Sequence, residues 1–332
     1  MDAAKVAICI VTHNSEEDLR DCLESVGALR FRAIELVIVD CASNDSSVAA
    51  VTENHPPDIP LVHRVLSDNI GFAGGMNEAL AQTQAPWVLT LNPDARPHPD
   101  YLSSLLDRAA KHPEDRIGAV AGRLVRPQDG PEAGLLDACG MVLSPSWRHF
   151  DRGSGEPAAG RWAHADRVFG ATGAASLFSR QALNDIAIDG EVFLAEFHSF
   201  REDAELCFRL QERGWDVLYE PSALCEHRRR NLPSRRREMP PHVNMHSLKN
   251  RYLLRLYHQG GVNLLLTGVP TLLRDLAALA YVLVLERSSL AAYRWLWQHR
   301  REILHRRRQI RARRTVEDPT VNRWFFRGSL PL

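Results

Sequence analysis

The chain has 332 residues, 45% of them hydrophobic and 25% charged, with 41 basic and 41 acidic side chains and a formal net charge of zero. This composition is that of an ordinary globular protein and excludes a disordered or low-complexity chain. The length allows one large core or two smaller ones. The zero sum is uneven: acids gather in the first two thirds and arginines crowd the last third, so it hides a basic arm.

The first residues, MDAAKVAICIVTHN, show no basic stretch followed by a long apolar run and do not read as a secretory signal. KVAICIV is a short, nearly continuous apolar run, as expected of a strand buried on both faces. Ser15 is placed to cap a helix, with Glu16, Glu17 and Asp18 near its positive end and Leu19, Cys22, Leu23 and Val26 at helical spacing. ELVIVD is a second buried strand ending in Asp40, and LVHRVL a third. Residues 72–81 read as a helix, WVLTLN as a strand, residues 101–110 as a helix and IGAVAG as a strand. Strands alternating with helices predict an α/β domain with a mostly parallel sheet. Ligands of such sheets sit beyond the C-terminal ends of the strands. The polar residues there (12–14, Asp40 and 92–94) therefore fall on one edge.

Residues 123–169, rich in Gly, Pro and Ser, read as loops and short strands. FGATGAASLFSRQAL is a loop or strand leading into a helix. REDAELCFRLQERGW is a helix closed by Gly214, and WDVLYE a strand followed by the turn PSALCEH. The last third is helical and basic. Its most apolar part, residues 262–285, is interrupted by Pro270 and by Arg274 and Asp275. That suits a segment lying on a membrane surface better than one crossing it. The six cysteines form no CxxC pair and read as small buried hydrophobes in a reducing compartment.

Several groups carry chemistry. Asp40, in VIVDCASNDSS, can accept hydrogen bonds from a base or ribose, or close an Asx-turn. In DNIGFAGGMNEAL, Gly71, Gly74 and Gly75 permit close backbone approach and positive φ. The amides of the helix there could face a phosphate, or the segment is a plain glycine-rich turn; the G-x-G-x-x-G spacing is absent. In TLNPDARP, Asp94 follows Asn92 at a strand end. A lone carboxylate there suits Mg2+ or Mn2+, which complete their shells with phosphate oxygens and water, although Asn-Pro-Asp is also strong turn chemistry. Glu202, Asp203 and Glu205 lie at a helix start, where the dipole favours them. Crowded carboxylates raise one another's pKa and can supply a general base. His227 is structural unless it stands beside Asp94 as a ligand.

In the order VTHNSEEDLRDCLESV, VIVDCASNDSS, NIGFAGGMNEAL, TLNPDA, REDAELCFRLQERGW and a late His, the chain resembles the inverting family 2 glycosyltransferases. NIGFAGGMN and NPDA resemble its rhamnosyltransferase-like branch. The likeness covers roughly residues 5–260. It implies a GT-A domain at 1–245, with a nucleotide-sugar half at 1–122 and an acceptor half at 123–245. A basic amphipathic helical region follows at 246–332. It also implies that Thr12, Asn14 and Asp40 hold the nucleoside and that Asn69, Gly71 and Asn77 line the nucleotide-sugar pocket. Asn92 and Asp94 stand at the first and second acid positions of the family's DxD motif. Asp94 and His227 would bind Mg2+ or Mn2+, and Asp203, paired with Glu202, would be the general base. The implied donor is a nucleotide sugar, dTDP-rhamnose on branch resemblance, and the acceptor a glycan or lipid-linked glycan of cell-wall or surface polysaccharide. The chain departs from the family at His13, Cys41, HSFR and Glu205.

The arginine-rich helices read as solvated surface, as a patch for anionic lipid headgroups or as a nucleic-acid surface; their interleaved Leu, Trp and Tyr favour lipid, at the inner face of the cell membrane. Two rival functions stand beside the transferase. A sugar-1-phosphate nucleotidyltransferase calls for a basic glycine-rich loop after the first strand, where THNSEEDLRD is acidic. A non-enzymatic nucleic-acid binder leaves the strand-end acids without purpose.

Overall fold

The computed structural model describes residues 5–130, 132–229 and 239–326. Alternation along the first strands builds two cores on opposite faces of one sheet. In β1 (Val6–Thr12), Ala7 and Cys9 enter one core and Val6, Ile8 and Ile10 the other; β2 (Ile34–Cys41) divides in the same way, with Val37 and Val39 opposed to Leu36 and Ile38. Helix α1 (Glu16–Gly27) covers the second core with Leu19, Leu23 and Val26. After α2 (Ser47–Asn54) and β3 (Leu61–Leu66), α3 (Gly71–Ala81) covers the first core with Ala73, Met76 and Ala79.

The sheet continues through β4 (Trp87–Leu91), β5 (Ala95–Pro97), α4 (Tyr101–Ala110) and β6 (Ile117–Val125). Short pieces follow: β7 (Leu136–Ala138), β8 (Met141–Leu143), β9 (His149–Asp151) and β10 (Asp166–Val168). Then come β11 (Ala175–Ser179), α5 (Arg180–Ile186), α6 (Glu202–Glu212) and β12 (Asp216–His227). The strand order is β10-β12-β6-β11-β4-β1-β2-β3, with β5 on β12 and β7 on β6. The long strands β1, β2, β3, β4, β6 and β12 run one way, and β11 is inserted antiparallel between β4 and β6.

Three local expectations need correction. Ser15 does not cap α1 through its side chain, whose Oγ turns back to His13 O; Asp45 and Ser47, from the loop after β2, take the amides of Glu16 and Ser15. The glycines of GFAGG lie inside α3, which begins at Gly71. Gly75 is needed because a Cβ there would stand 2.6 Å from Val11 Cγ1. PSALCEH is not a turn after a strand: β12 runs through it to His227, with a register shift between Glu220 and Leu224.

The C-terminal helices are α7 (Pro241–His258), α8 (Gly261–Leu285), α9 (Leu290–Gln298), α10 (Arg300–Arg313) and α11 (Asp318–Asn322). Leu253 and Tyr257 of α7, Ile303 and Ile310 of α10, Val321, Trp324 and Phe325 join the same core as the first face of the sheet. Many arginines of α10 are tied to that body. Arg306 reaches Asp189, Glu191 and Glu196, Arg307 donates to Gln259 O and Arg313 to Ala187 O.

The break expected within residues 262–285 does not occur, for α8 passes Pro270 as one helix of 25 residues. A buried polar stripe on its inner side offsets the cost of a mid-helix proline, about 3 kcal/mol. Trp147 Nε1 donates to Asn263 Oδ1 and Thr267 Oγ1, both at 3.1 Å, and Asn263 Nδ2 to Asn322 Oδ1 at 2.8 Å. Asp275 also turns inward, binding Arg251 and Arg255. The leucines face out: Leu265 is 84% exposed, Val269 70% and Leu273 63%. By length and composition α8 can cross a membrane, with a mean hydropathy of 1.6, but its polar stripe ties it lengthwise to the body.

Candidate active site

The polar ends of β1, β2 and β4 share one sheet edge, and the register sets Thr12 opposite Asp40. Thr12 Oγ1 donates to Asp40 Oδ2 at 2.8 Å, Ser43 Oγ to the same oxygen at 2.6 Å and Ser43 N to Oδ1 at 2.9 Å. Asp40 is 1% exposed. Its carboxylate thus closes the turn after β2, and Thr12 lies buried beside it. Of the three residues expected at the nucleoside, Asn14 alone is exposed. It sits at φ 53°, with Oδ1 accepting from Asn44 N at 2.8 Å.

The glycine segment docks on protein. Gly71 has φ +73°, and a Cβ there would lie 2.5 Å from His198 O. Asn69 Oδ1 accepts from Gly71 N at 2.9 Å, Ser199 Oγ from Phe72 N at 3.4 Å and His198 O from Ala73 N at 2.9 Å. The amides of Phe72 and Ala73 therefore bind the segment before α6, and that of Gly71 binds Asn69, where the sequence left a phosphate or a plain glycine-rich turn open. Asn77 is likewise engaged: Nδ2 donates to Phe193 O, and Oδ1 accepts from Val192 N and Phe193 N.

That segment is strained. His198, Phe200 and Arg201 all have φ between 60° and 71°, which costs about 1–3 kcal/mol for each such residue. Buried Asn250 restrains it, with Nδ2 2.7 Å from Phe197 O, 2.8 Å from Ser199 O and 2.7 Å from Phe200 O. The turn delivers the acids of α6. Asp203 is partly buried, and its Oδ2 accepts from Gly173 N at 3.1 Å. Burial raises its pKa, and the nearby Asp151 carboxylate adds to this. Glu202 is 8% exposed, with Oε2 lacking a hydrogen-bond partner. Burial and the Asp203 charge hold it well above the ordinary glutamate range. Glu205 does not join them. It is fully buried, bonded to Arg209 Nε at 2.8 Å and Nη2 at 2.6 Å, and although burial opposes, Arg209 and His258 lower its pKa.

The remaining pair, Asp94 and His227, comes together because β5 pairs antiparallel with the end of β12 and sets His227 opposite Ala95. Asn92 N donates to Ala174 O at 2.7 Å, pinning the strand end before Asp94. His227 Nδ1 donates to Asp137 Oδ2 at 2.6 Å, and Nε2 lies 3.2 Å from Asp94 Oδ1, an ion pair when the ring is protonated. Burial would lower the His227 pKa; the two carboxylates override it and raise it to about 9. Asp137 is 2% exposed and also meets Arg126 and Arg229, each at 3.1 Å. Its pKa is lowered to about 2 because these three cations outweigh burial. Arg229 extends the chain to Asp151, at 2.5 Å.

A buried imidazole nitrogen 3.2 Å from a carboxylate oxygen at a strand end offers the one-carboxylate, one-imidazole set that fits a divalent cation whose other ligands come from phosphate and water. Among the described residues no group of three or more His, Cys, Asp or Glu forms a protein-only metal cage. Asp137, Asp151, Arg229 and Asn250 escaped the sequence reading. The available signal was Asp137 itself, an acid inside the apolar run LLDAC, where burial demands a partner.

Residues 7–186, more than half of the chain, match the family model for glycosyl transferase family 2. The protein is a family 2 glycosyltransferase. Membership sets aside both rival readings, the nucleotidyltransferase and the non-enzymatic nucleic-acid binder. The transferase is 26% identical over 279 residues to the N-acetylglucosaminyl-diphospho-decaprenol L-rhamnosyltransferase of Mycobacterium tuberculosis, covering 76% of this chain and 85% of that one. It is 25% identical over 223 residues to the poly-beta-1,6-N-acetyl-D-glucosamine synthase of Staphylococcus epidermidis, covering 66% of this chain and 49% of that one. Among solved structures, the mannosyltransferase PcManGT from Pyrobaculum calidifontis, in complex with GDP-Man and Mn2+, aligns with a TM-score of 0.53 at 17% identity, covering 97% of this chain and 85% of that one. GalNAc-T7 with UDP, GalNAc and Mn2+ gives 0.54 at 13%, covering 76% and 48%. The fold is GT-A, a mostly parallel central sheet followed by C-terminal helices.

Proposed function

We propose that the transferase moves L-rhamnose from dTDP-rhamnose to a hydroxyl of a lipid-linked glycan, with inversion, in cell-wall or surface polysaccharide synthesis at the cytoplasmic face of the membrane. The observation that carries the reading is the pair Asp94 and His227 at the ligand-binding sheet edge, joined through Asp137, Arg229 and Asp151 to the raised-pKa acid Asp203. The rhamnosyl choice is supported by the mycobacterial relative. The membrane location is supported by the outward apolar face of α8.

In this reading the donor lies along the strand ends, with Asn14 exposed toward its nucleoside. Asp94 and His227 would hold Mg2+ or Mn2+, which when bound neutralises charge on the departing nucleoside diphosphate. The acceptor oxygen attacks the anomeric carbon from the face opposite the leaving group. The bond to the phosphate oxygen breaks, and the hydroxyl proton passes to Asp203. A raised pKa makes Asp203 the stronger base, and its partly open position distinguishes it from Glu202. Glu202 is buried and its pKa is raised by that burial and by the Asp203 charge, which disfavours a second negative charge beside Asp203.

The test is thermal stabilisation by dTDP, UDP and GDP and by their sugars, with and without Mn2+. A ligand at a hundredfold excess over its Kd adds about 2.7 kcal/mol. The expected result is a Mn2+-dependent shift, largest with dTDP and lost in Asp94→Ala, followed by dTDP release from dTDP-rhamnose with a lipid-linked acceptor. A shift with no nucleotide, or one that survives Asp94→Ala, refutes the donor site.

A further inference from the structure

Four segments distant in sequence converge where α8 crosses the body. Pro145 O, in the turn before β9, accepts from Thr271 Oγ1 of α8 at 3.4 Å. Arg201, just before α6, donates from Nε to Ser247 O of α7 at 3.4 Å and from Nη1 to His149 Nδ1 at 3.0 Å. Asp275 of α8 accepts from Arg251 Nη2 at 2.6 Å and Arg255 Nη1 at 2.5 Å. These contacts crowd Arg148, Arg201, Arg251 and Arg274 into one place. Asp275 is shared between two guanidiniums, and among the described residues no carboxylate forms an ion pair with Arg148 or Arg274. Arg274 Nε is buried without a hydrogen-bond partner.

The field there is strongly positive. Burial and the charges of Arg251, Arg148 and Arg201 push the Arg274 pKa down to about 9. Burial and the arginines around it hold His149 well below the ordinary histidine range, and its neutral Nδ1 accepts from Arg201. Like charges are brought this close only against repulsion, so the cluster favours a multivalent anion with several acceptor oxygens. Two neighbours define that anion further. Arg274 is partly buried on the side of α8 that carries Thr267 and Thr271, and the leucines next to it in sequence turn to the outer side, Leu272 59% exposed, Leu273 63% and Leu276 56%. On the other side Arg201 immediately precedes Glu202 and Asp203. A ligand that meets all three has an apolar chain, a phosphate group and a hydroxyl-bearing head.

The geometry points to an acceptor site for a glycan carried on a lipid diphosphate, with Arg148, Arg251 and Arg274 holding the diphosphate and the lipid chain lying along the outward leucines of α8. The inference rests on the transferase reading above and adds the place where the acceptor is held. The polar stripe that fixes α8 to the body keeps the chain-binding face and the arginines in a constant relation, so the diphosphate sets how far the acceptor sugar reaches toward Asp203.

The experiment uses the full chain in metal-free buffer, with farnesyl diphosphate below its micelle concentration, inorganic pyrophosphate and farnesol as probes in isothermal titration. Farnesyl diphosphate is expected to bind more tightly than either of the others. Arg148→Gln with Arg274→Gln should weaken both phosphate probes by about tenfold for each guanidinium lost, the ratio that about 1.4 kcal/mol represents. Leu265→Asn with Leu273→Asn should weaken farnesyl diphosphate and leave pyrophosphate unchanged. Binding of dTDP with Mn2+, titrated separately, should be the same in every variant. Unaltered farnesyl diphosphate binding in the arginine variants overturns the proposal. So does equal affinity for pyrophosphate and farnesyl diphosphate, which marks a free-phosphate site, and so does equal competition by phosphatidylglycerol vesicles, which marks a headgroup surface. If the double arginine variant does not fold, Arg148→Gln alone, at an exposed side chain, decides the matter. Loss of dTDP binding in the wild type would instead defeat the donor reading, because the lipid probes are read without nucleotide or metal.

Discussion

Asp137→Asn separates a structural carboxylate from one that orients a metal ligand. The substitution keeps the shape and removes one charge from a group that holds His227 at 2.6 Å and Arg126 and Arg229 at 3.1 Å. Breaking a buried pair costs about 3–5 kcal/mol. Arg229 retains Asp151 and Arg126 retains Glu132, so the expected loss is near the lower end, about 3 kcal/mol. Unfolding entropy is about 2.1 cal/mol/K per residue. For 332 residues that is roughly 0.7 kcal/mol/K, and Tm should fall by about 4 °C. The larger effect is on the imidazole. Asp137 fixes the proton on Nδ1 and leaves Nε2 for a metal, and an outer partner of this kind is worth about 10–100-fold in metal affinity. The assay is Mn2+ titration in the presence of dTDP, followed by electron paramagnetic resonance, beside a melting curve. Weaker Mn2+ binding with unchanged metal-free dTDP binding supports the assignment. A Tm loss with Mn2+ affinity within about twofold of wild type, less than any outer-partner effect, would show that the Asp137–His227 pair is structural only.

Glu202→Gln should stabilise the protein increasingly with pH. The folded-state pKa of Glu202 lies well above its unfolded value, so the native state binds the extra proton and wild-type stability falls as pH rises between the two values. The Gln variant lacks that slope; its Tm advantage should grow from pH 5 to pH 8, and a constant difference contradicts the buried-acid reading. Asp203→Asn should lower kcat by about 10²–10⁴-fold with dTDP and Mn2+ binding unchanged. In the wild type, the acid limb of kcat/KM should lie above the ordinary aspartate range because the base must be deprotonated and its pKa is raised; a limb below about pH 4 rejects Asp203 as the base. Gly71→Ala forces a side chain into φ +73°, with its Cβ 2.5 Å from His198 O. The left-handed conformation alone costs roughly 1–2 kcal/mol, and the contact displaces the turn before Asp203. Tm and kcat should fall together, and a fall in Tm alone would mean that the turn does not position the base.

Much of the framework was legible in the chain itself. Continuous apolar runs such as VAICIV and LVIVD require strands covered on both faces, and strands alternating with helices require a mostly parallel sheet whose C-terminal edge collects Thr12, Asp40 and Asp94. These are local properties, periodicity and burial, and local sequence carries them. Tertiary structure decided the rest. It used the carboxylate of Asp40 for a turn and the amides of α3 for docking, because backbone and side-chain donors near a strand edge bind whatever acceptor packing brings first. It carried β12 through PSALCEH, so that His227 meets Asp94 across 133 positions and Asp137 across 90. It also turned α8 outside in, setting Asn263, Thr267 and Asp275 against the body and the leucines toward the surroundings. Sequence spacing records that α8 has two faces; only the partners packed beside it determine which one is covered.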